Sequence, residues 1–581
     1  MDRRLFLRRM AALTAAASSG AALPGDLRAE KLGGGGLSPA TALPAPRSRP
    51  ADPADLTLSE ASALIRDGEL APLELVEAYL ERIERLDDVY LAFNTVLAET
   101  ARREARRLAR APWRGPLHGI PLAMKDNFYT TGVRTSANSY IFQDFVPEWD
   151  ATAWARLREA GAILLGKTQM GPLATSRATT PDGERTTVNA WAPEHPAVSP
   201  GGSSSGSATA VAARMAAAAT GTQTGGSITN PASEQGLTGL KPTMGRVSLR
   251  GIVPLTYTRD HPGPIARDAM DAALLLQAMA GPDPEDPRTL GLPPVPDYVR
   301  AATPVRGEGR PGLRWPTTIG VLPGYLEVEE PEAPDEEERR EMDARQRRER
   351  EEERRREGIR VGEAVAARRR MLETFEELGA RVVEVDHPAD WETLTSREFN
   401  NVRLPERSES FLEVLRDDVR KFGVSLSPWI NGLLLPGAEY LRGQRAKLVL
   451  LRRVLDEVFS ACDAVVQTRP FPFDMIGLPL VAFPIGYETR SIGSPRPLAG
   501  MLGGLPYAED RLLSLAAAFQ AVTDFHRRRP DDPDDAPPGD RMAPERARPP
   551  WGPPGNGGGG GGRGALGRGR VDLDEVMERG E

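Results

Sequence analysis

The stretch GTQTGGS, residues Gly221–Ser227, places two adjacent glycines directly before a serine. A second glycine-serine cluster, GGSSSGSA at Gly201–Ala208, lies shortly upstream. Ordered glycine costs conformational entropy, so the pair Gly225-Gly226 indicates a place where bare backbone must approach another group. Convergent backbone amides beside a hydroxyl are what an oxyanion hole requires, because they stabilise the charge that develops on an attacked carbonyl.

A serine nucleophile at this position needs a base, because its hydroxyl is weakly reactive by itself. Lys125 ends a predicted strand after the apolar residues Leu122–Met124. Burial lowers the pKa of a lysine because the ammonium loses its hydration. Lys125 is therefore a candidate base, and Ser203 a candidate relay between Lys125 and Ser227.

Two other motifs offer different chemistry. GAILLGKT, Gly161–Thr168, matches the phosphate-loop pattern letter for letter, but its four apolar residues predict a buried strand whose amides belong to a sheet, which makes Lys167 a strand-end residue. GSSSG, Gly202–Gly206, matches the hydrolase elbow G-x-S-x-G with Ser204 as the nucleophile. That interpretation stays open as the weaker one, because the preceding residues do not predict a strand; its acid and base would be Asp260 with His261 or His526.

The composition bounds the class of protein. The chain has 581 residues, 40% of them hydrophobic, and a net charge of −8. This balance, with no basic stripe in the body of the chain, argues against a nucleic-acid partner. The one cysteine, Cys462, cannot pair within the chain, and the five histidines are widely scattered, so neither a disulfide framework nor a zinc site is predicted.

Helical and strand patterns alternate along the chain, which favours an α/β layer fold. The predicted helices cover 56–70, 72–86, 101–109, 151–160, 269–280, 438–461 and 511–526, and the predicted strands cover 92–97, 119–127, 162–166, 318–322, 381–385 and 463–467.

The two ends of the chain differ from its body in composition. Residues 1–30 resemble a twin-arginine export signal, because Arg3-Arg4 precedes Leu-Phe-Leu and a weak alanine-rich apolar run. Residues 31–55 are rich in Gly, Pro and Ala and are interpreted as a linker. The Pro- and Gly-rich tail, 531–581, is predicted to be disordered.

A charged segment interrupts the globular region 56–530. Residues 335–357 are almost all Glu and Arg, with Glu placed four residues before Arg at several positions. This spacing stabilises an isolated helix. The segment predicts an exposed helix that is either inserted into the domain or extends a packed helix; a solvated face is a better explanation than a partner site.

Several blocks in order resemble the amidase signature family of serine hydrolases. They are GIPLAMKDN, SPGGSSSGSA, GTQTGGSITNPAS, GLKPTMGRVSLRGIVPL, LPLVAFPIGY and TDFHRRRP. The resemblance spans about Leu56 to Pro530. It implies an amidase domain at 56–530 with the amidase signature fold, a large twisted mixed β-sheet flanked by helices on both faces.

By position, the resemblance implies a Ser-cisSer-Lys triad of Lys125, Ser203 and Ser227, in which the peptide bond of Ser203 is cis. It places the oxyanion amides on Thr224, Gly225, Gly226 and Ser227. The chain departs from the family where Ile-Arg often follows the nucleophile, since here Thr229 and Asn230 follow Ile228. It also has Gln235-Gly236 for Cys-Gly, and Asn189-Ala190 for Asn-Pro. These departures leave the catalytic groups intact and bear on substrate preference.

The function implied is hydrolysis of a carboxylic amide to an acid plus ammonia or an amine, through an acyl-serine intermediate. No metal and no organic cofactor is expected. The expected partner is a small-molecule amide, without nucleic acid or a stable membrane span, and the expected location is the periplasm or the exterior. The alternatives are the amide-transfer subunit of a glutamyl- or aspartyl-tRNA amidotransferase, an esterase with the same triad, and an inactive relative that only binds.

Overall fold

The computed structural model describes residues 43, 46, 49–307, 309–328, 344–488, 495–533 and 546–547. Most of these residues form one mixed β-sheet and the helices that cover it. Residues 1–30, most of the predicted linker, 335–343 and nearly all of the predicted tail lie outside the described part, so the predictions for them stay predictions.

Twelve strands form the sheet in the order β10-β9-β11-β13-β12-β5-β6-β4-β2-β3-β1-β14, and β7 and β8 form a separate hairpin. The strands are β1 (Phe93–Val96), β2 (Pro121–Lys125), β3 (Ile163–Thr168), β4 (Ala218–Gln223), β5 (Thr238–Lys241), β6 (His261–Ala266), β7 (Val305–Gly307), β8 (Arg310–Gly312), β9 (Thr318–Val321), β10 (Arg381–Glu384), β11 (Ala464–Val466), β12 (Leu480–Glu488), β13 (Arg496–Gly504) and β14 (Arg546–Ala547).

Helices and strands alternate over much of the described chain, as the sequence pattern predicts, but the six helices between residues 391 and 453 follow one another without a strand. The helices are α1 (Leu58–Arg66), α2 (Pro72–Tyr90), α3 (Ala98–Leu108), α4 (Thr152–Glu159), α5 (Ser205–Ala212), α6 (Thr229–Gln235), α7 (Ala269–Met279), α8 (Tyr298–Ala302), α9 (Ala344–Glu377), α10 (Trp391–Leu394), α11 (Arg397–Asn401), α12 (Leu404–Ser410), α13 (Leu412–Asp417), α14 (Leu426–Leu434), α15 (Gly437–Arg453), α16 (Phe471–Ile476) and α17 (Glu509–Val522).

Strand β12 shows that helices cover both faces of the sheet. Successive side chains of a strand point to opposite faces. Val481 and Phe483 pack into the core that contains Phe519 of α17, whereas Leu480 and Ala482 pack into a second core with Val454 and Val458, just beyond α15. Because both faces of the strand are buried, its sequence is an almost unbroken apolar run. The predicted α/β fold with helices on both faces is confirmed.

The centre of the sheet brings the predicted site together. Strand β2 pairs parallel with β3 on one side and with β4 on the other. The carboxyl ends of parallel strands lie at one edge, where α/β folds place their ligands. Lys125 ends β2, and the turn that carries Ser227 follows β4. The sequence positions 125 and 227 therefore meet at the same sheet edge.

Every predicted helix and strand forms, and most ends differ by a few residues. The helix predicted for 438–461 is an exception, since α15 ends at Arg453 and a short π-helix follows at Val454–Val458. α1 begins later than predicted because Thr57 caps it: its side chain accepts from the Glu60 amide, and the Glu60 carboxylate accepts from the Thr57 amide. β3 extends to Thr168 and is buried throughout, so GAILLGKT is a strand and not a phosphate loop. Sequence reasoning gave no helices between 391 and 434, where α10–α14 are short.

The charged segment 335–357 is described only from residue 344 onward, as backbone of α9. This helix continues to Glu377, and its later turns bury Val365, Ala367, Met371 and Phe375. Of the two alternatives, the structure supports a charged extension of a packed helix. Among the described helices, none has both the length and the hydropathy needed to cross a membrane.

Candidate active site

Lys125 lies fully buried at the carboxyl end of β2. Its Nζ is 2.8 Å from Ser203 Oγ, 2.8 Å from Thr222 Oγ1 and 3.3 Å from the Thr222 carbonyl oxygen. None of these partners is a carboxylate. The preceding residues Leu122, Ala123 and Met124 are also buried, which gives the amine the apolar setting expected from the sequence.

This setting favours the uncharged amine. Burial holds the pKa of Lys125 well below its usual value, and the carboxylate of Asp260 opposes that shift through space. Asp260 is not a direct partner of the lysine: it accepts hydrogen bonds from the Thr224 hydroxyl and from two backbone amides, at Leu255 and Thr256. A neutral amine in hydrogen-bond contact with a hydroxyl can act as a general base.

Ser203 lies in the turn that leads into α5. Its peptide bond with Gly202 is cis, as the resemblance implied. A Cβ on Gly202 would lie 2.6 Å from the Cα of Arg177, so only glycine fits at this position. The Ser203 carbonyl accepts from the Gly171 amide at 3.0 Å. Backbone contacts thus hold the residue with its hydroxyl on Lys125.

Ser227 closes the turn after β4 and is 8% exposed. It lines a cleft of about 1140 Å³ together with Gly202, Ser203 and Gly225. Gly226 needs its glycine, since its φ is +87° and a Cβ there would lie 2.4 Å from Asn230 Nδ2. Within the described chain the Ser227 hydroxyl has no hydrogen-bond partner, and it is open to a group in the cleft.

The predicted oxyanion amides divide into two kinds. The Gly226 amide donates to the carboxylate of Asp474 at 2.7 Å, so it is engaged behind the turn and does not point a free N–H at the cleft. The prediction that Gly226 supplies an oxyanion donor is therefore corrected. Gly225 and Ser227 line the cleft, and their amides have no hydrogen-bond partner among the described residues. Thr224 is held through its hydroxyl by Asp260.

Asp474 and Gln223 are residues of the site that sequence reasoning missed. Asp474 comes from α16 and is fully buried; it also accepts from Gln223 Nε2 at 2.7 Å. Gln223 Oε1 in turn accepts from the amides of Ile228 and Thr229, at 2.8 and 2.9 Å. These bonds tie both ends of the Gly225–Ser227 turn to the sheet. One signal was available: Asp474 is a lone acid in the apolar run FPFDMIG, and a buried carboxylate needs partners.

The alternative elbow around Ser204 does not form. The Ser204 hydroxyl donates to the carbonyl of Ser227 at 2.5 Å, so it is used to support the turn. His261 Nδ1 lies 3.2 Å from the carbonyl of Gln223, and Asp260 is bound to Thr224. Neither contacts Ser204, and the acid–histidine pair that this interpretation requires is not assembled around it.

Fold and site together define a class: an α/β protein with a buried lysine, a serine hydroxyl bonded to that lysine, and a second serine that lines the cleft on a glycine turn. Residues 74–314 match the family model described as Amidase. A glutamyl-tRNA(Gln) amidotransferase subunit from Moorella thermoacetica is 34% identical over 527 residues, covering 82% of this chain and 98% of that protein. The corresponding protein from Methylococcus capsulatus is 35% identical over 511 residues, with 82% and 98% covered.

Solved structures agree with these relatives. Native peptide amidase from Stenotrophomonas maltophilia has a TM-score of 0.64 at 28% identity, covering 82% of this chain and 98% of that one. A glutamyl-tRNA(Gln) amidotransferase subunit from Thermotoga maritima has a TM-score of 0.60 at 25% identity, with 85% and 99% covered. The chain belongs to the amidase family, and it is a hydrolase that acts on amide C–N bonds.

Proposed function

We propose that this protein hydrolyses a carboxylic amide to an acid plus ammonia or an amine, through an acyl intermediate on Ser227. The observation that carries the proposal is the fully buried amine of Lys125, 2.8 Å from Ser203 Oγ and without a carboxylate partner. Such an amine accepts a proton near neutral pH, whereas a solvated lysine does not. The required base, relay and nucleophile lie at one edge of the sheet.

In the acylation step, Lys125 takes the proton of the Ser203 hydroxyl as Ser203 takes the proton of Ser227. The Ser227 oxygen bonds to the carbonyl carbon, and the carbonyl electron pair moves onto its oxygen. The free amides of Gly225 and Ser227 supply donors for that oxyanion. When the tetrahedral intermediate collapses, the C–N bond breaks and Ser203 returns a proton to the leaving nitrogen, which Lys125 replaces.

In the deacylation step, water attacks the acyl-Ser227 ester, and its proton passes through the Ser203 hydroxyl to Lys125. The bond between the acyl carbon and the Ser227 oxygen then breaks, and the serine recovers its proton. Every group that this cycle uses belongs to the described residues, and Lys125 ends the cycle neutral again.

A fluorophosphonate probe tests this proposal, because it phosphonylates an activated serine. The expected result is one label on Ser227, located by mass spectrometry of the digested protein, and no label in Ser227→Ala. Ser204→Thr is the matched control, since it keeps a hydroxyl that can donate to the Ser227 carbonyl. A label on Ser204, or an unlabelled protein that still releases ammonia from amides, would contradict the assignment.

The amide-transfer subunit of a tRNA amidotransferase is the second candidate. Its support is the similarity to the amidotransferase subunits from Moorella thermoacetica and Methylococcus capsulatus. That role uses glutamine as the ammonia donor and needs partner proteins with access to tRNA, whereas the net charge of −8 and the export-like N-terminus favour an independent enzyme. Glutamine hydrolysis that appears only when the other amidotransferase components are added would favour the second candidate. An esterase is separated by comparing matched amide and ester substrates.

Export by the twin-arginine route is a further proposal, based on Arg3-Arg4 and the following apolar run. It gives residues 1–30 the role of signal, 31–55 that of linker and 531–581 that of a disordered tail around the amidase domain, 56–530. Replacing Arg3-Arg4 by Lys-Lys should hold the protein inside the cell, as measured by fractionation. Equal export of both forms would end this proposal.

A further inference from the structure

The active-site cleft is lined by more arginine than its acids neutralise. Its lining contains four arginines and two glutamates: Arg177, Arg360, Arg368, Arg496, Glu234 and Glu357. At about 1140 Å³ the cleft is also large for a short aliphatic amide. Charge and volume together indicate a substrate that extends beyond its amide group and carries negative charge.

Two of these arginines are already paired. Arg360 lies 3.4 Å from Glu234 and 3.6 Å from Glu488. Arg496 lies 3.4 Å from each of the same two glutamates. This group of four joins α6, α9, β12 and β13 at the cleft. Its charges balance internally, so it shapes the wall and leaves no free cation.

The other two arginines lack an acid. Arg177 donates to the carbonyls of Thr187 and Pro196, and its Nε is a buried nitrogen without a hydrogen-bond partner. Arg368, on α9, donates to the Tyr325 carbonyl and lies over the Tyr325 ring. Among the described residues, no carboxylate is within ion-pair distance of either guanidinium. Neutral carbonyls leave the positive charge of both uncompensated.

Arg177 is also bonded to the turn that carries Ser203. Its backbone forms an antiparallel bridge with Gly202, the residue before the relay serine. Burial lowers the pKa of this guanidinium, and the neighbouring Arg185 adds to the shift. The guanidinium is therefore partly removed from water and has no carboxylate partner among the described residues. A carboxylate that entered the cleft would supply that partner, with the bidentate geometry that arginine favours.

Given the proposed amidase activity, on which this inference rests, we propose that the substrate is an amide that carries a carboxylate. Arg177 binds that carboxylate beside the scissile group, and Arg368 adds a second cation from α9. The charged extension of α9 thereby belongs to a helix that forms part of the substrate-binding wall. Arg177 and Arg368 determine specificity; the catalytic groups remain Lys125, Ser203 and Ser227.

The test compares matched substrates in the full-length protein. The anionic series is succinamate, glutaramate, adipamate and pimelamate, and the neutral series is butanamide to heptanamide, with ammonia release measured for each. The expected result is a kcat/KM at least tenfold higher for the best anionic substrate than for its neutral partner. Added salt should raise KM for the anionic series alone, because it screens the arginine.

Variants identify the residues. Arg177→Gln should lower the anionic-to-neutral ratio of kcat/KM at least tenfold, mainly through KM, and Arg177→Lys should retain part of the ratio. Arg368→Gln should lower it less. The matched control is Arg369→Gln, the next residue on α9, which is exposed and does not line the cleft; its ratio should equal that of the wild type.

The outcomes separate this inference from the function on which it rests. Equal kcat/KM for both series, or a ratio unchanged in both Arg177→Gln and Arg368→Gln, overturns the carboxylate preference and leaves the amidase standing. If the protein hydrolyses neither series, binding is measured instead by how far each amide slows fluorophosphonate labelling of Ser227. The anionic amides should slow the labelling more than the neutral ones. Equal slowing by both series overturns the preference. Failure of Ser227 to react with the probe overturns the proposed function, and this inference with it.

Discussion

Two buried lysines lie near the carboxyl ends of neighbouring parallel strands, and their surroundings give them different chemical properties. Lys125 ends β2 and Lys167 is next to last in β3, and both are fully buried. Lys167 donates to the Phe128 carbonyl and the Thr135 hydroxyl and lies 3.4 Å from the Asp126 carboxylate. Lys125 has two hydroxyls and a carbonyl but no acid.

This contrast teaches that burial alone does not make a base. Burial lowers the pKa of both amines, but in Lys167 the Asp126 carboxylate offsets part of the shift, whereas Lys125 has only the more distant Asp260. An ion-paired buried lysine is a structural group whose removal leaves an unpaired acid. An unpaired one is kept uncharged and is available for proton transfer.

The largest expected effect comes from removing each lysine in turn. Lys125→Met should lower kcat roughly 10³- to 10⁴-fold, since a general base contributes on that order, while the protein stays folded. Lys167→Met should instead destabilise the protein by about 3–5 kcal/mol, because Asp126 is left buried and unpaired. Amide turnover and denaturant unfolding measured on both variants check this. If the lysine at 167 proved the more important for kcat in folded protein, the comparison would be reversed.

A second prediction converts one strand end into the other. Thr222→Asp places a carboxylate where the Thr222 hydroxyl now contacts Lys125 Nζ at 2.8 Å. The acid should raise the pKa of Lys125 and keep the amine protonated, so that kcat at neutral pH falls about 10²-fold. Activity should return in part as the pH is raised. Thr222→Ser keeps the hydroxyl and is the control; a pH–rate profile that does not move in Thr222→Asp would refute the role of Lys125.

A third prediction concerns Asp474, the buried acid that holds the Gly225–Ser227 turn. In Asp474→Asn, the side-chain amide nitrogen must face either the Gly226 amide or Gln223 Nε2. Because both of these groups are donors, one of the two hydrogen bonds is lost. The Gly225–Ser227 turn should shift, and kcat should fall about 10- to 10²-fold, as small misplacements do. The double variant Gln223→Glu with Asp474→Asn restores a donor for every acceptor and should recover most of the activity. A double variant as poor as Asp474→Asn would show that the charge at 474, and not the bonding, matters.

The smallest expected effect is on stability against pH. The folded state lowers the pKa of Lys125 below its usual 10.5. Between the lowered pKa and 10.5 the unfolded chain therefore binds one proton more than the folded chain, and the free energy of unfolding rises with pH. The slope from one such group is at most about 1.4 kcal/mol per pH unit. Lys125→Met should lack this contribution, so its stability relative to the wild type should improve as the pH falls from 10.5. Both proteins are unfolded with denaturant at several pH values. If the difference in their free energies of unfolding were the same at every pH, Lys125 would be charged in the folded protein.

The sequence was informative wherever the signal was local. Hydrophobic period predicted β2, β3 and α7 to within a few residues, and the glycine pair before Ser227 marked a turn that the observed φ of Gly226 requires. Apolar neighbours on one side of Lys125 also indicated that the amine would be buried. These features depend on residues within a few positions of one another, so a single pass along the chain finds them.

The bonds that fix the site were not local. Asp474 reaches the Gly226 amide from 248 positions away, and no spacing rule links them. The prediction for Gly226 was wrong for this reason: a free amide was inferred from the turn alone, while the acid that engages it comes from α16. The paired and unpaired arginines of the cleft also come from separate segments, between residues 177 and 496.

The chain by itself determined the class of fold, the strand that carries Lys125 and the glycine turn before Ser227, because periodicity and backbone freedom are properties of neighbouring residues. Only the tertiary structure decided which lysine has an acid, which amides remain free and which arginines lack a counter-ion. Those properties depend on distances across the sheet edge, where electrostatic and hydrogen-bond energies change within a few ångströms.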